Sequence, residues 1–454
     1  MISYLFPPIG GGGVLRALKM AKYLQEFGWR PHVLAVQPAY HVSLDESLLA
    51  QLPPEVQIYR VPEWNPLRLA KGLRLKSAGS TSTGQAGGRR HAAGTTAHAA
   101  KPPFFQPLKK ARDALFIPDK QVLWYPPAAR EGGRLLRQTP VQAIFSTSGP
   151  VTNHLVARKL HRRFGIPWVA DFRDPWTQNM HRSGLRWREA WEGRMERSVM
   201  AEADAITTVT QSFAQGFVDK HGRWIRRLEV IHNGFDADDY ADVAPERTAR
   251  MEGRCAFTYA GIFYRERNPR LFLRALRELI DSGQIRREQV LLCFAGVFDY
   301  PGYRENAQAV ASLGLEDVVE VLGHVPHRRA LALLKGADVL LLVGDTAPGS
   351  GAYIPGKFYE YMAVRRPILA LTQPGEVTRI MERYGLGESV APDDLEGMKA
   401  AIASLYRQWL DRESGKGATS RWEAPPLPAE AYRLYERREQ AGQLAELLEE
   451  ILAD

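Results

Sequence analysis

Residues 2–25, Ile2-Ser-Tyr-Leu-Phe-Pro-Pro-Ile-Gly-Gly-Gly-Gly-Val-Leu-Arg-Ala-Leu-Lys-Met-Ala-Lys-Tyr-Leu-Gln25, decide the fold. Ile2 to Phe6 reads as a strand. Val14 to Phe27 reads as a helix, because Val14, Leu18, Ala21 and Leu24 or Gln25 recur on successive turns. Between them stand two prolines and four glycines. Glycine lets backbone N–H groups approach an anion, and a helix N-terminus adds the positive end of its dipole. The loop is not a dinucleotide fingerprint, since Leu15 stands where a third glycine is required, and it lacks the Gly-Lys-Ser/Thr of a P-loop. A strand, a glycine turn and a helix open an α/β unit, with Gly11, Gly12 and Gly13 as candidates for contact with phosphate or sugar.

The same alternation runs outward from this unit. Strands are expected at His32–Val36, Gln57–Val61, Ala143–Ser146, Pro167–Asp171, Ala205–Val209 and Leu228–His232, with helix-length segments between most of them. A second series follows at Ala256–Ala260, Val290–Ala295, Val318–Leu322, Val339–Val343 and Pro367–Leu371. Alternation of this kind implies parallel sheets covered on both faces, and 454 residues suffice for two domains. The expected organisation is an N-terminal α/β domain over 1–238, a second over 239–428, and a terminal helical region over 429–454. Residues 77–103, rich in Ser, Gly, Ala, Thr and His, carry too few apolar groups to order a core and read as a flexible surface insertion. A ligand would lie at the strand C-termini facing the cleft between the domains.

The net charge of +9 is uneven: residues 60–140 hold 15 Lys plus Arg against 4 Asp plus Glu. Such a patch suits anionic lipid, phosphate-bearing acceptors or nucleic acid as well as a plain solvated loop, and charge alone does not name the partner; with the constellations below, no nucleic acid is expected. No apolar run approaches the roughly 18 residues of a membrane span, and no secretory leader is visible, so a cytoplasmic location is expected. Cys255 and Cys293, each inside an apolar run, read as buried thiols in neighbouring strands.

Three further constellations carry chemistry. Asp171, Arg173 and Asp174 in Val169-Ala-Asp-Phe-Arg-Asp-Pro-Trp sit at a strand end and are catalytic candidates. Ala260-Gly-Ile-Phe-Tyr-Arg-Glu-Arg-Asn-Pro places Arg265 and Arg267 on a turn from which either can reach a diphosphate. In Ser350-Gly-Ala-Tyr-Ile-Pro-Gly-Lys-Phe-Tyr-Glu, a glycine-containing loop around Tyr353 enters a helix at Gly356-Lys357. N–H groups and an ammonium converge there, and Glu360 lies one turn on as an acceptor for ribose hydroxyls. Asp236, Asp238 and Asp239 follow Asn233-Gly234 and read as solvated linker residues. No His, Cys or carboxylate set has metal-ligand spacing.

With these residues in view, the chain resembles the retaining GT-B glycosyltransferases of family 4, in the bacterial branch with an Asp-Phe-Arg-Asp-Pro-Trp signature. The resemblance rests on Pro-Pro-Ile-Gly-Gly, Ile117-Pro-Asp-Lys-Gln-Val-Leu-Trp-Tyr-Pro-Pro-Ala, residues 171–176, Ile231-His-Asn-Gly-Phe-Asp and Pro355-Gly-Lys-Phe-Tyr-Glu-Tyr-Met-Ala. It implies two Rossmann-like doubly wound domains facing across a cleft, and a cofactor-free, metal-independent hexosyltransferase that retains anomeric configuration. The partners it implies are a nucleotide-diphosphate sugar and a lipid-linked or polysaccharide acceptor, at the inner face of the plasma membrane. It assigns Glu360 to the ribose, Lys357 to the adjoining donor loop, and Arg267 or Arg265 to the departing diphosphate. The sequence departs from the pattern in two places: Ala352 stands where relatives often carry a second glutamate, and no histidine accompanies Asp171–Asp174. A sugar-nucleotide epimerase or a non-catalytic scaffold remain the alternatives.

Overall fold

The computed structural model of the chain describes residues 1–41, 44–64, 116–179, 184–263, 267–300, 302–414 and 426–453. The insertion expected at 77–103 and the candidate Arg265 lie outside the described residues.

In the N-terminal domain, α1 (Gly12–Tyr23) precedes β1 (His32–Val36) and β2 (Gln57–Val61). The chain continues through α2 (Tyr125–Gln138), β3 (Ile144–Thr147), α3 (Thr152–Phe164), β4 (Trp168–Phe172), α4 (Arg186–Glu202), β5 (Ala205–Thr208), α5 (Gln211–His221) and β6 (Leu228–Val230). The strand expected at Ile2–Phe6 is shorter than its apolar run. Only residues 1–4 join the ladder, with Ile2 bridging both Leu34 and Ser146 in parallel and Ser3 N–H bonding Leu34 O at 3.1 Å. Pro7 and Pro8 have no N–H to donate, so pairing stops before them. Residues 1–4 nevertheless join β1–β2 to β3–β4–β5–β6. Numbered along the chain, the strand order becomes 3-2-1-4-5-6-7, with a switch point directly beneath the glycine loop.

A short helix, α6 (Asp238–Ala241), leads into the second domain. There β7 (Cys255–Ile262), α7 (Arg270–Asp281), β8 (Val290–Val297), α8 (Glu305–Ser312), β9 (Val319–Gly323), α9 (His327–Gly336) and β10 (Val339–Val343) are followed by α10 (Gly356–Val364), β11 (Ile368–Leu371), α11 (Glu376–Tyr384), β12 (Gly387–Val390) and α12 (Leu395–Glu413). All six strands are parallel in the order β12-β11-β10-β7-β8-β9, which is the doubly wound 3-2-1-4-5-6 order seen from its other edge. β10 is buried at every position, which accounts for its uninterrupted Val-Leu-Leu-Leu-Val run. β12 is polar and at the edge, and apolar patterning does not reveal it. Cys255 and Cys293 are buried and unbridged on adjacent strands β7 and β8.

The last helices, α13 (Ala429–Tyr435) and α14 (Arg437–Ala453), carry the chain back to the first domain. Leu444, Leu447, Leu448 and Ile451 of α14 pack with Met20, Tyr23 and Leu24 beside α1 and with Phe145, Val169 and Ala205 of the sheet. The outgoing and returning crossings pair with each other: Phe235 N–H bonds Tyr435 O, and Arg437 N–H bonds Phe235 O, both at 2.9 Å. Among the described residues no helix is long and apolar enough to cross a membrane.

Candidate active site

In the second domain the switch point lies between β7 and β10, and the cationic candidates gather there. Gly261 is the last residue but one of β7, and its φ of 143° belongs to the glycine-favoured region. A Cβ at this position would fall 1.8 Å from Lys357 Nζ, so glycine is what lets the lysine lie across the strand end. Lys357 is the second residue of α10. Its Nζ donates to Tyr259 Oη at 2.6 Å and stands 4.0 Å from the centre of the Tyr259 ring. Burial, helped by the Arg267 charge and opposed by Glu360, brings the ammonium down to about 7. Arg267 has a buried Nε with no hydrogen-bond partner. Among the described residues neither cation is ion-paired, and Lys357 turns to Tyr259 rather than to Glu360 one turn along the helix. Burial raises the Glu360 carboxyl; His327 and then Lys357 oppose that shift, and Asp239 adds to it.

The expected donor residue Tyr353 lies at the domain junction. Its ring meets that of Phe213, on α5, edge-on at 4.8 Å. The chain around it is held tightly: a Cβ on Gly351 would fall 2.2 Å from Pro374 O. A second junction, not foreseen from sequence, forms where Glu376 at the start of α11 accepts from Ser212 N and Oγ at 2.8 and 2.6 Å. The lone Glu376 after Pro374-Gly375 carries no sequence signal that would have revealed it.

Across the cleft, Gly11, Gly12 and Gly13 are exposed, and Gly11 has a φ of 105° immediately before α1. Arg173 ties this loop down. Its guanidinium donates to Gly13 O at 2.5 Å, to Gly149 O at 3.3 Å and to Ser148 O. Burial lowers its pKa from the usual value, against the opposing charges of Asp171 and Asp174. Asp174 reaches solvent, yet protein crowds it enough to raise its carboxyl above the ordinary range, with Arg173 opposing.

Asp171 requires a correction. The alternation of β4 turns it inward, and it is 0% exposed. It accepts two bonds from Arg16 at 2.8 and 2.9 Å, one from Thr147 at 2.7 Å and one from Thr207 at 2.8 Å. Burial works against ionisation, but these partners, Arg16 foremost, hold its pKa below the usual value. No lone pair is left for a substrate, so Asp171 is a structural anchor rather than a catalytic group. Arg16 also donates to Ile231 O and His232 O, tying α1 to the outgoing linker. The linker aspartates also depart from expectation. Asp236 is buried against Lys19 at 2.5 Å, and Asp239 bonds the same lysine at 3.0 Å, while Asp238 is exposed and meets Lys22. Lys19 and Lys22, one turn apart, against the acids at 236, 238 and 239 were the available signal. Among the described residues no cluster of three or more His, Cys, Asp or Glu could hold a metal.

An apolar cavity of about 470 Å³, lined by Leu24, Trp29, Leu135, Ile144 and Leu448 among others, opens at the opposite edge of the first sheet. It holds none of the groups described above, and the chemistry is assigned to the cleft.

Comparison with known proteins follows the same division. Residues 89–239 match the family model "Glycosyltransferase Family 4", and residues 254–408 match "Glycosyl transferases group 1". A D-inositol 3-phosphate glycosyltransferase of Streptosporangium roseum is 26% identical over 156 residues, 32% of this chain; the match spans only 35% of that relative. Among solved structures, a glycosyltransferase from Rickettsia africae superposes with a TM-score of 0.61 at 14% identity, covering 100% of this chain and 98% of that one. HepE of Anabaena in complex with UDP and glucose superposes with a TM-score of 0.59 at 15% identity, covering 99% and 98%. One family match in each domain, family 4 in the first and group 1 in the second, together with superposition over nearly the whole chain, supports a GT-B glycosyltransferase.

Proposed function

We propose that the chain transfers a hexose from a nucleotide-diphosphate donor to a lipid-linked or polysaccharide acceptor, with retention and without a metal. Its proposed setting is bacterial surface polysaccharide synthesis at the inner face of the plasma membrane. One observation carries the reading: Lys357, at the α10 N-terminus, feels the Arg267 charge, and among the described residues no carboxylate is bonded to either. Two neighbouring cations without a counter-ion favour a bound anion, and a leaving diphosphate supplies one. In this reading Arg267, Lys357 and the N–H groups of Gly356 and Lys357 stabilise the charge that develops on the leaving oxygen. Glu360 accepts from the ribose hydroxyls. Backbone groups of Gly349–Tyr353 meet the donor sugar where Ala352 replaces a carboxylate. Gly11–Gly13 close from the first domain, and Arg173 and Asp174 face the acceptor. The occupancy of HepE by UDP supports a uridine nucleotide.

Calorimetric titration with UDP and GDP, followed by an assay of nucleoside-diphosphate release from their sugars in the presence of membrane extract, tests the proposal. Binding of one nucleotide and its release upon transfer are expected. Failure to bind either would overturn the donor assignment, and sugar conversion without nucleotide release would favour the epimerase alternative. Turnover should survive excess chelator; loss restored by a divalent ion would overturn metal independence.

A further inference from the structure

The two most exposed large apolar side chains among the described residues stand one turn apart on a single helix. Trp187 is 52% and Trp191 58% exposed, both on the solvent face of α4, with Leu185 at 40% just before them. Indole rings at this spacing lie on the same face. Scattered exposed apolar residues are ordinary, but a paired tryptophan step is a patch.

The charges of α4 are sorted by face. Its acids are engaged elsewhere: Glu189 accepts from Gly184 N–H, Glu192 pairs with Arg188, Glu196 is buried against Lys220 and His221, and Glu202 pairs with Arg158 and Arg162. Arg186, Arg194 and Arg197 are exposed, and among the described residues none of them pairs with a carboxylate. Arg194 instead lies 5.9 Å from the Trp191 ring. The outward face is therefore tryptophan and arginine without a compensating acid.

The position of α4 links this face to the cleft. In a parallel sheet a helix after a strand begins at the strand's C-terminal edge. Arg188 confirms it for α4 by donating to Pro118 O at 2.9 Å, next to Asp119, which caps the start of α3 through Thr152 N–H at 2.9 Å. The tryptophans thus lie at the edge of the first domain that carries Gly11–Gly13 and Arg173.

We propose that this face of α4 docks on an anionic lipid bilayer, with Trp187 and Trp191 at headgroup depth and Arg186, Arg194 and Arg197 on lipid phosphates. Charge complementarity selects the anionic partner, and the amphipathic indole suits the boundary between headgroup and acyl chain. The inference rests on the glycosyltransferase reading only in that it orients the cleft toward a lipid-linked acceptor. It also places membrane contact on α4, whereas the sequence reading placed it on the basic stretch 60–140, of which 65–115 lie outside the described residues.

The test is sedimentation of the full chain with vesicles of phosphatidylglycerol and phosphatidylcholine, compared with phosphatidylcholine alone. Binding to the anionic vesicles at low salt is expected, with a blue shift of tryptophan emission. Trp187→Ala combined with Trp191→Ala should reduce partitioning at least about tenfold. Arg194→Gln combined with Arg197→Gln should reduce it about fivefold per charge and abolish the preference for anionic lipid. UDP and GDP titration of each variant reports on the cleft independently: preserved nucleotide affinity with lost vesicle binding supports the proposal. Variants that pellet like the parent would overturn it, as would a parent that binds neither vesicle. Nucleotide binding absent in the parent would sink the donor reading and leave the vesicle result standing by itself.

Discussion

Arg16–Asp171 in the first domain and Lys357–Arg267–Glu360 in the second are both sets of charged groups gathered toward the C-terminal ends of the strands in a doubly wound sheet. They differ in how much of their hydrogen-bonding capacity is spent. Asp171 receives four bonds and Arg16 gives its donors to Asp171 and to two linker carbonyls. In the second set Lys357 has one phenol, Arg267 has a buried Nε with nothing bonded to it, and Glu360 is held uncharged more readily than a free carboxyl. A saturated buried pair is a structural joint, and an unsaturated one is poised for a ligand. The difference is visible only in three dimensions, because both sets appear in the sequence as charges beside a strand end.

The largest effect expected from this contrast is on stability in the first set. Asp171→Ala leaves Arg16 buried without its carboxylate and removes the acceptor of Thr147 and Thr207, a loss of about 3–5 kcal/mol. Urea unfolding of the variant measures it. A loss below about 1 kcal/mol would show that the pair is not a joint, and would return Asp171 to the candidates for catalysis.

The second set should behave in the opposite way. Glu360→Ala is expected to weaken nucleotide binding by about 1.5–3 kcal/mol, the worth of a hydrogen bond to a charged group. Unfolding free energy should change little, because a carboxyl already destabilised by burial is removed. Titration with UDP and urea unfolding of the same preparation separate the two quantities. Unchanged affinity would remove Glu360 from the donor site, and a large loss of stability would erase the contrast between the sets.

Much of this architecture was legible beforehand, because apolar runs bounded by glycine and polar residues mark buried parallel strands. His32–Val36, Gln57–Val61 and Val339–Val343 form with the expected bounds. β12 escaped because an edge strand of Gly-Glu-Ser-Val has no apolar signature. Lys357, Glu360 and the glycine loop stood out through local chemistry, a loop of small residues opening a helix. Tyr259 and Gly261 did not, since their importance lies in what approaches them across the sheet. Asp171 was misread for the same reason: a strand-end position fixes the edge of the sheet, whereas the pleat decides which way the carboxylate points.

The smallest effect expected is the most diagnostic. Lys357 titrates near 7, so below that pH it is an ammonium and above it a neutral amine. A bound diphosphate favours the charged form and raises the pKa in the complex. Affinity for a nucleotide sugar, whose diphosphate does not itself titrate near neutrality, should therefore hold below about pH 7 and fall above it, by at most about tenfold per unit. The fall ends where the bound form also loses its proton. Arg267→Gln sharpens the test, because the Arg267 charge adds to burial in lowering Lys357. The variant should bind more weakly at every pH, yet its break should move upward. Titrations between about pH 6 and 9 measure both. A flat profile in the parent would mean that Lys357 does not meet the donor, and a break unmoved by Arg267→Gln would mean that the two cations do not share one anion.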